Sequence, residues 1–225
     1  MQCIYYKDKD GLTFNKREHI FPKALGGIER LDAGIVSDQA NEFFANNLEV
    51  KTFRTSEIII ARLVHGFNKK PSKESKKNRF APKYVFNREA DSRTFGKIAF
   101  NALAKLMGKD YVLRSEFDEF RNWIMQGDND WFHCKMGKET LACTKIVPKF
   151  AHYCTFVDDG EYIIADVCLY NYWRKMFGIC KKFDNNFVIP QGYICDWKNK
   201  REFKHFNYDR YYGSYYLYGY YNYYI

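Results

Sequence analysis

An α+β fold is predicted by three features of this 225-residue sequence: an N-terminal stretch dense in turn signals with a short helix behind it, a middle with apolar residues at helical spacing, and a final third that alternates with the two-residue period of strands. The expected order is an N-terminal hairpin and helix over residues 1–66, a basic linker over 67–84, a helical region over 85–127, an antiparallel β-rich domain over 128–207 and a Tyr-rich tail over 208–225. A hydrophobic content of 46% is enough for one large domain or two small ones with true cores.

Each element has its own signal. Ile4-Tyr5-Tyr6 and Leu12-Thr13-Phe14 flank Lys9-Asp10-Gly11, which predicts a small hairpin. Ser37 or Asp38 can cap a helix over 39–48, where Ala40, Phe43, Phe44 and Leu48 recur at helical spacing; a second helix over 56–65 carries Ile58, Ile59, Ala61 and Leu63. Phe95, Ile98, Ala99, Ala102, Leu103 and Leu106 line one face of a helix over 94–107 that Gly108 ends. Ser115 is expected to cap the next helix, with Phe117, Phe120, Trp123 and Ile124 buried and Gly127 as its stop. The strand signals are Lys145-Ile146-Val147 and the runs 153–157 and 162–169, with Asp158-Asp159-Gly160 as a hairpin turn. No fold follows from the tail, whose composition favours assembly or sheet completion over stacking on bases.

The net charge of +9, from 36 Lys and Arg against 27 Asp and Glu, points to a polyanionic partner. Arg62 interrupts the longest apolar run, far short of the roughly 18 to 20 residues of a membrane span, and the N-terminus has no secretory pattern. A cytoplasmic protein without a membrane partner is expected. Seven scattered cysteines, an odd number, argue for reduced thiols.

The chemistry concentrates in Arg17-Glu18-His19-Ile20-Phe21-Pro22-Lys23-Ala24-Leu25-Gly26-Gly27, followed by Ser37-Asp38-Gln39-Ala40-Asn41-Glu42-Phe43-Phe44. Phosphodiester hydrolysis needs a base for water and a cation against the phosphate. His19, with an ordinary pKa of about 6.5, is mainly neutral at pH 7 and can act as the base. Glu18 supplies a hard oxygen and Asn41 an amide carbonyl, both suited to Mg²⁺ or Mn²⁺, and two protein ligands leave room for water and phosphate.

Residues 3–49 resemble the HNH endonuclease family, in particular a subfamily that reads Cys-x-x-Cys, then Glu-His-Ile-x-Pro-x-Ala-Leu-Gly-Gly, then Cys-x-x-Cys-Asn-x-x-Phe. The resemblance implies an N-terminal ββα-metal hairpin in which Glu18 and Asn41 are the metal ligands and His19 is the general base. Asp32 stands where the family's middle Asn holds the His loop, which makes it a candidate for orienting His19. Ala45 occupies a position that is a further His ligand in some members. Of the family's four zinc cysteines only Cys3 remains, with Tyr6, Ser37 and Ala40 at the other positions, so structural zinc is not expected and packing of Ile4, Tyr6 and Phe43 must replace it. The run 97–104 and the run 117–124 also resemble the helical region that follows the nuclease hairpin in longer members.

The implied partner is DNA, with RNA as the alternative, contacted by Lys16, Arg17 and Lys23 beside the motif and by Lys69, Lys70, Lys76, Lys77 and Arg79 in the linker. A catalytically silent nucleic-acid-binding protein is the competing expectation. The C-terminal domain and tail would serve target recognition, a protein partner or self-association, as in bacterial or phage defence proteins. His133, Cys134, Cys143, His152 and Cys154 match no familiar zinc spacing and are read as sheet residues.

Overall fold

Every residue from Arg93 to Ala104 is buried, and the helix that contains them, Arg88–Met107, is the axis of the protein. The structure, a computed structural model, describes residues 1–54, 58–59, 61–62, 88–127, 150–158, 160–171, 173–181 and 192–206. The linker over 67–84, the Lys145-Ile146-Val147 run, most of the 56–65 helix and the Tyr-rich tail lie outside these residues.

This long helix starts six residues before the expected Thr94, and it is wrapped on all sides rather than along one apolar face. The polar residues within 93–104 are therefore buried, and each has a partner. Arg93 Nε donates to the Ile124 carbonyl at 3.0 Å, Thr94 shares a hydroxyl bond with Thr52 at 2.8 Å, and Asn101 donates to the His19 carbonyl at 3.0 Å. Gly108, at φ +92°, ends the helix, and its N–H donates to the Ala104 carbonyl. A short helix, Lys109–Val112, follows. Ser115 then opens a 3-10 turn without a side-chain cap, and the α-helix proper runs Asp118–Gln126 to Gly127 in the left-handed conformation. The Ser115 hydroxyl bonds Glu116 instead, which corrects the expected cap. Phe117, Phe120, Trp123 and Ile124 are buried as expected.

The two apolar runs at the N-terminus do not pair as strands, because their backbone groups are used elsewhere. Ile4 N–H donates to the Ile35 carbonyl at 3.0 Å, and the Thr13 carbonyl accepts from Asp38 N–H at 2.7 Å. Tyr5, more than Tyr6, anchors this region, with its ring edge-on to Phe44 and Phe100 at 4.6 and 5.4 Å between centroids. Helix Asp38–Phe43 is capped by the Ser37 hydroxyl, which accepts from Ala40 N–H at 3.2 Å, and continues through a π turn, Phe44–Glu49, and a last α turn, Val50–Thr52.

The C-terminal part is a five-stranded antiparallel sheet in the order β3-β2-β1-β4-β5, with β1 His152–Asp158, β2 Tyr162–Leu169, β3 Trp173–Lys181, β4 Gly192–Asp196 and β5 Arg201–Phe206. Gly160, at φ +97°, turns β1 into β2. Alternate residues Cys154, Phe156, Ile163, Ala165, Val167 and Leu169 face a core shared with the long helix and the N-terminal residues, while Tyr153, Cys168 and Ile194 cluster on the other face. One hydrophobic core therefore joins segments expected as separate domains. The five described cysteines are free and buried, and no helix among the described residues is long and apolar enough to cross a membrane.

Candidate active site

Glu18 and His19 sit at the start of a tight loop closed by a single antiparallel bridge, His19 with Arg30. Two backbone bonds flank the bridge, Ile20 N–H to the Glu29 carbonyl at 3.1 Å and Leu31 N–H to the Glu18 carbonyl at 2.8 Å. Ile20, Phe21 and Leu25 are fully buried under the loop. The Gly-Gly pair is required by geometry: Gly26 adopts φ +94°, and a Cβ on Gly27 would run into the Phe21 carbonyl. From the other side, Asp38 accepts from Asn15 N–H at 3.0 Å, Asn15 Nδ2 at 2.9 Å and Lys16 N–H at 2.7 Å, which fixes the chain just before Glu18. These bonds hold the Asp38 carboxyl down at about 2, the Asn15 backbone bond contributing most.

Glu18 does not face solvent freely. Its Oε1 pairs with the ammonium of Lys97, a fully buried side chain that also donates to Glu49 Oε1 at 2.5 Å. Burial pushes the Lys97 ammonium down, but the two carboxylates outweigh it and raise it well above the ordinary lysine range. Burial likewise raises the Glu18 carboxyl, with Lys97 drawing it back.

His19 is half-buried, and its imidazole is lowered to about 4, first by burial and then by the positive charges of Arg30, Lys97 and Lys23. Its ring is neutral at physiological pH. The backbone is held by Asn101, whose Oδ1 accepts from Tyr5 Oη at 2.7 Å while its amide donates to the His19 carbonyl.

Asn41 lies on the first turns of the capped helix, and both its Oδ1 and its Nδ2 are buried without a hydrogen-bond partner. Leaving such a group unmade costs about 1–3 kcal/mol. A carboxylate oxygen and an unpartnered amide oxygen are hard donors of the type that suits Mg²⁺ or Mn²⁺, so these residues fit a divalent cation chemically. Among the described residues no cluster of three or more His, Cys, Asp or Glu forms a candidate metal site.

Asp32 lies two residues beyond Arg30, the bridge partner of His19. Its side chain is 77% exposed and pairs with Arg17 at 3.6 Å and Lys105 at 3.8 Å, while the His19 carbonyl is bonded by Asn101. Lys16, Arg17 and Lys23 are exposed beside the loop, whereas Lys69, Lys70, Lys76, Lys77 and Arg79 lie outside the described residues. Cys3 Sγ accepts from Tyr5 N–H at 3.4 Å and Ser37 N–H at 3.3 Å, and these bonds tie the N-terminal segment to the start of the capped helix. His152 is buried with both ring nitrogens engaged: Nδ1 accepts from Tyr170 N–H at 2.9 Å, so Nε2 carries the hydrogen bonded to the Leu25 carbonyl at 2.8 Å. Cys154 faces the main core, and His133, Cys134 and Cys143 lie outside the described residues.

Comparison of the chain with family models, curated proteins and solved structures finds no match in any of the three. The functional reading therefore rests on the site itself.

Lys97, Asn101, Glu49 and Arg30 were not singled out by the sequence pattern. A signal for the first two exists: Lys97 and Asn101 are four residues apart, hence on one helix face, within an otherwise apolar run. Glu49 and Arg30 carry no such mark.

Proposed function

We propose that the protein is a metal-dependent endonuclease of the HNH type that hydrolyses phosphodiester bonds in DNA. His19 is the general base, and Glu18 and Asn41 would hold Mg²⁺ or Mn²⁺. When bound, the cation supplies Lewis-acid neutralisation of the scissile phosphate and the leaving oxygen. The chain's own residues do the rest. The His19 to Arg30 bridge and the Asn101 bond orient the imidazole, burial keeps it neutral so that it can take a proton from water, and Lys23 and Arg30 place positive charge beside it for the phosphate.

The observation that carries this reading is Asn41: a buried amide with neither atom partnered, at the position the motif assigns to the helix ligand. Native proteins rarely leave such groups unmade without a functional reason. One observation favours the catalytically silent alternative, in which the site docks nucleic acid without cutting. The Lys97 ammonium already neutralises Glu18, as a bound cation would.

Plasmid and single-stranded substrates incubated with Mg²⁺ or Mn²⁺ separate the two. Cleavage by the wild type and none by His19→Ala is the expected result. Binding by both proteins with cleavage by neither would leave the docking module.

A further inference from the structure

His19 and Arg30 are cross-strand partners, and the flanking bonds, Ile20 N–H to Glu29 and Leu31 N–H to Glu18, make theirs the non-hydrogen-bonded type of pair, in which side chains lie closest. Arg30 uses that closeness: its Nε donates to His19 Nε2 at 3.2 Å. The bond defines the ring, because an accepting Nε2 holds the lone pair and leaves the proton of the neutral imidazole on Nδ1. The only basic nitrogen of His19 is thus occupied by a cation's N–H.

The Arg30 side chain is exposed, and among the described residues its guanidinium pairs with no carboxylate. Its charge is available to an anion. A phosphodiester oxygen is a better acceptor for a guanidinium than a neutral imidazole, since ionised pairs make hydrogen bonds roughly twice as strong and the planar fork can bind in bidentate fashion. Lys23 and Lys16, both exposed near the loop, add to the field that draws such an anion in.

We propose that Arg30 is a substrate-operated latch on His19: it holds the Nε2 lone pair in the free protein, and an arriving phosphodiester draws it away. Released, Nε2 accepts a proton from the attacking water, the hydroxide forms its bond to phosphorus as the P–O bond to the leaving oxygen breaks, that oxygen takes its electron pair and a proton from solvent, and the ring becomes the imidazolium with protons on both nitrogens. Arg30 is a positioning residue until that moment, and afterwards a phosphate ligand. This inference rests on the nuclease reading of the same site.

The test is long-range ¹H–¹⁵N NMR of the histidine rings in the full chain, in EDTA so that nothing is cut, with a short DNA duplex as the probe and fluorescence anisotropy to measure its binding. In the free wild type His19 is expected as the Nδ1–H tautomer with its Nε2 resonance displaced by the Arg30 bond. Saturating duplex moves that resonance to the position it has in Arg30→Met, where duplex leaves it unchanged. Arg30→Met also weakens duplex binding about tenfold, the scale of one charge-assisted hydrogen bond. A free His19 protonated on Nε2, or a duplex that binds without moving the resonance, overturns the latch and leaves the nuclease reading intact. A duplex that does not bind at all removes both.

Discussion

Lys97 holds a full positive charge where no water reaches it, and two carboxylates are the reason it can. Replacing it with Met leaves Glu18 and Glu49 facing each other in a poorly solvated site, a change of the kind that costs about 3–5 kcal/mol when one partner of a buried pair is removed. Urea denaturation of Lys97→Met against wild type is expected to show a loss on that scale, and a loss below about 1 kcal/mol would mean that the pair is not buried in solution. Asn41 predicts the opposite sign. Its amide gains nothing from burial, so Asn41→Ala should leave stability unchanged or raise it, by no more than about 1 kcal/mol, while weakening Mn²⁺ binding measured by calorimetry. A clear fall in melting temperature would show that the amide has a structural partner. Glu18, His19 and Asn41 are candidates chosen by residue type and spacing alone. Their neighbours were not legible in that way, because Lys97 follows Glu18 by 79 residues in the chain and no local pattern records that they meet.

At the scale of elements, the chain before the site is set by a carboxylate clamp. Asp38 is held at about 2, below the ordinary aspartate value of about 3.9, so the folded state binds its proton less readily than the unfolded chain. The stabilisation is present above the ordinary value and is lost as pH falls towards 2. Asp38→Asn is expected to melt below the wild type at neutral pH, with the two curves converging between about pH 4 and pH 2 in a series of thermal melts. The capped helix behind this clamp was readable from Ser37 and from Phe44 and Leu48 at helical spacing. The hairpin expected ahead of it was not realised, since Thr13 and Ile4 find partners at Asp38 and Ile35. Among the strands, β1 and β2 follow the alternation of their residues. By contrast, β5 is built from Arg201, Glu202, Lys204 and His205 among its six residues, and its partner β4 rather than its own pattern makes it a strand. The long helix hid its first turns for a similar reason: Arg88, Glu89, Asp91 and Arg93 read as polar chain until the 118–126 helix supplies carbonyls for Arg93.

Across the whole molecule, the loop that carries the site is fastened by residues far along the sequence. Arg121 Nε donates to the Ile4 carbonyl at 2.5 Å, His152 bonds the Leu25 carbonyl, and Glu202 Oε1 accepts from Ile28 and Glu29 N–H at 2.9 and 3.0 Å while its other oxygen takes the Tyr193 hydroxyl. A fragment of residues 1–66 loses all of these together with Lys97 and Asn101. It is expected to show the narrow amide dispersion of an unfolded chain in a ¹H–¹⁵N spectrum; a well-dispersed spectrum would prove the hairpin autonomous. An overall α+β order was legible from periodicity alone, but a division into independent domains was not supported by it, because the shared core is made of contacts no stretch of sequence contains by itself.

The grip of Glu202 on Ile28 and Glu29 spans 174 positions of chain, and that distance has a meaning in time. Contacts so remote in sequence are slow to form, because a long loop must close before they can repay its entropy. During synthesis the turn beside His19 waits, half-fastened, until the β5 strand has left the ribosome. A chain interrupted anywhere between Asn41 and Arg201 carries the complete Glu-His motif and lacks the strand that finishes its loop.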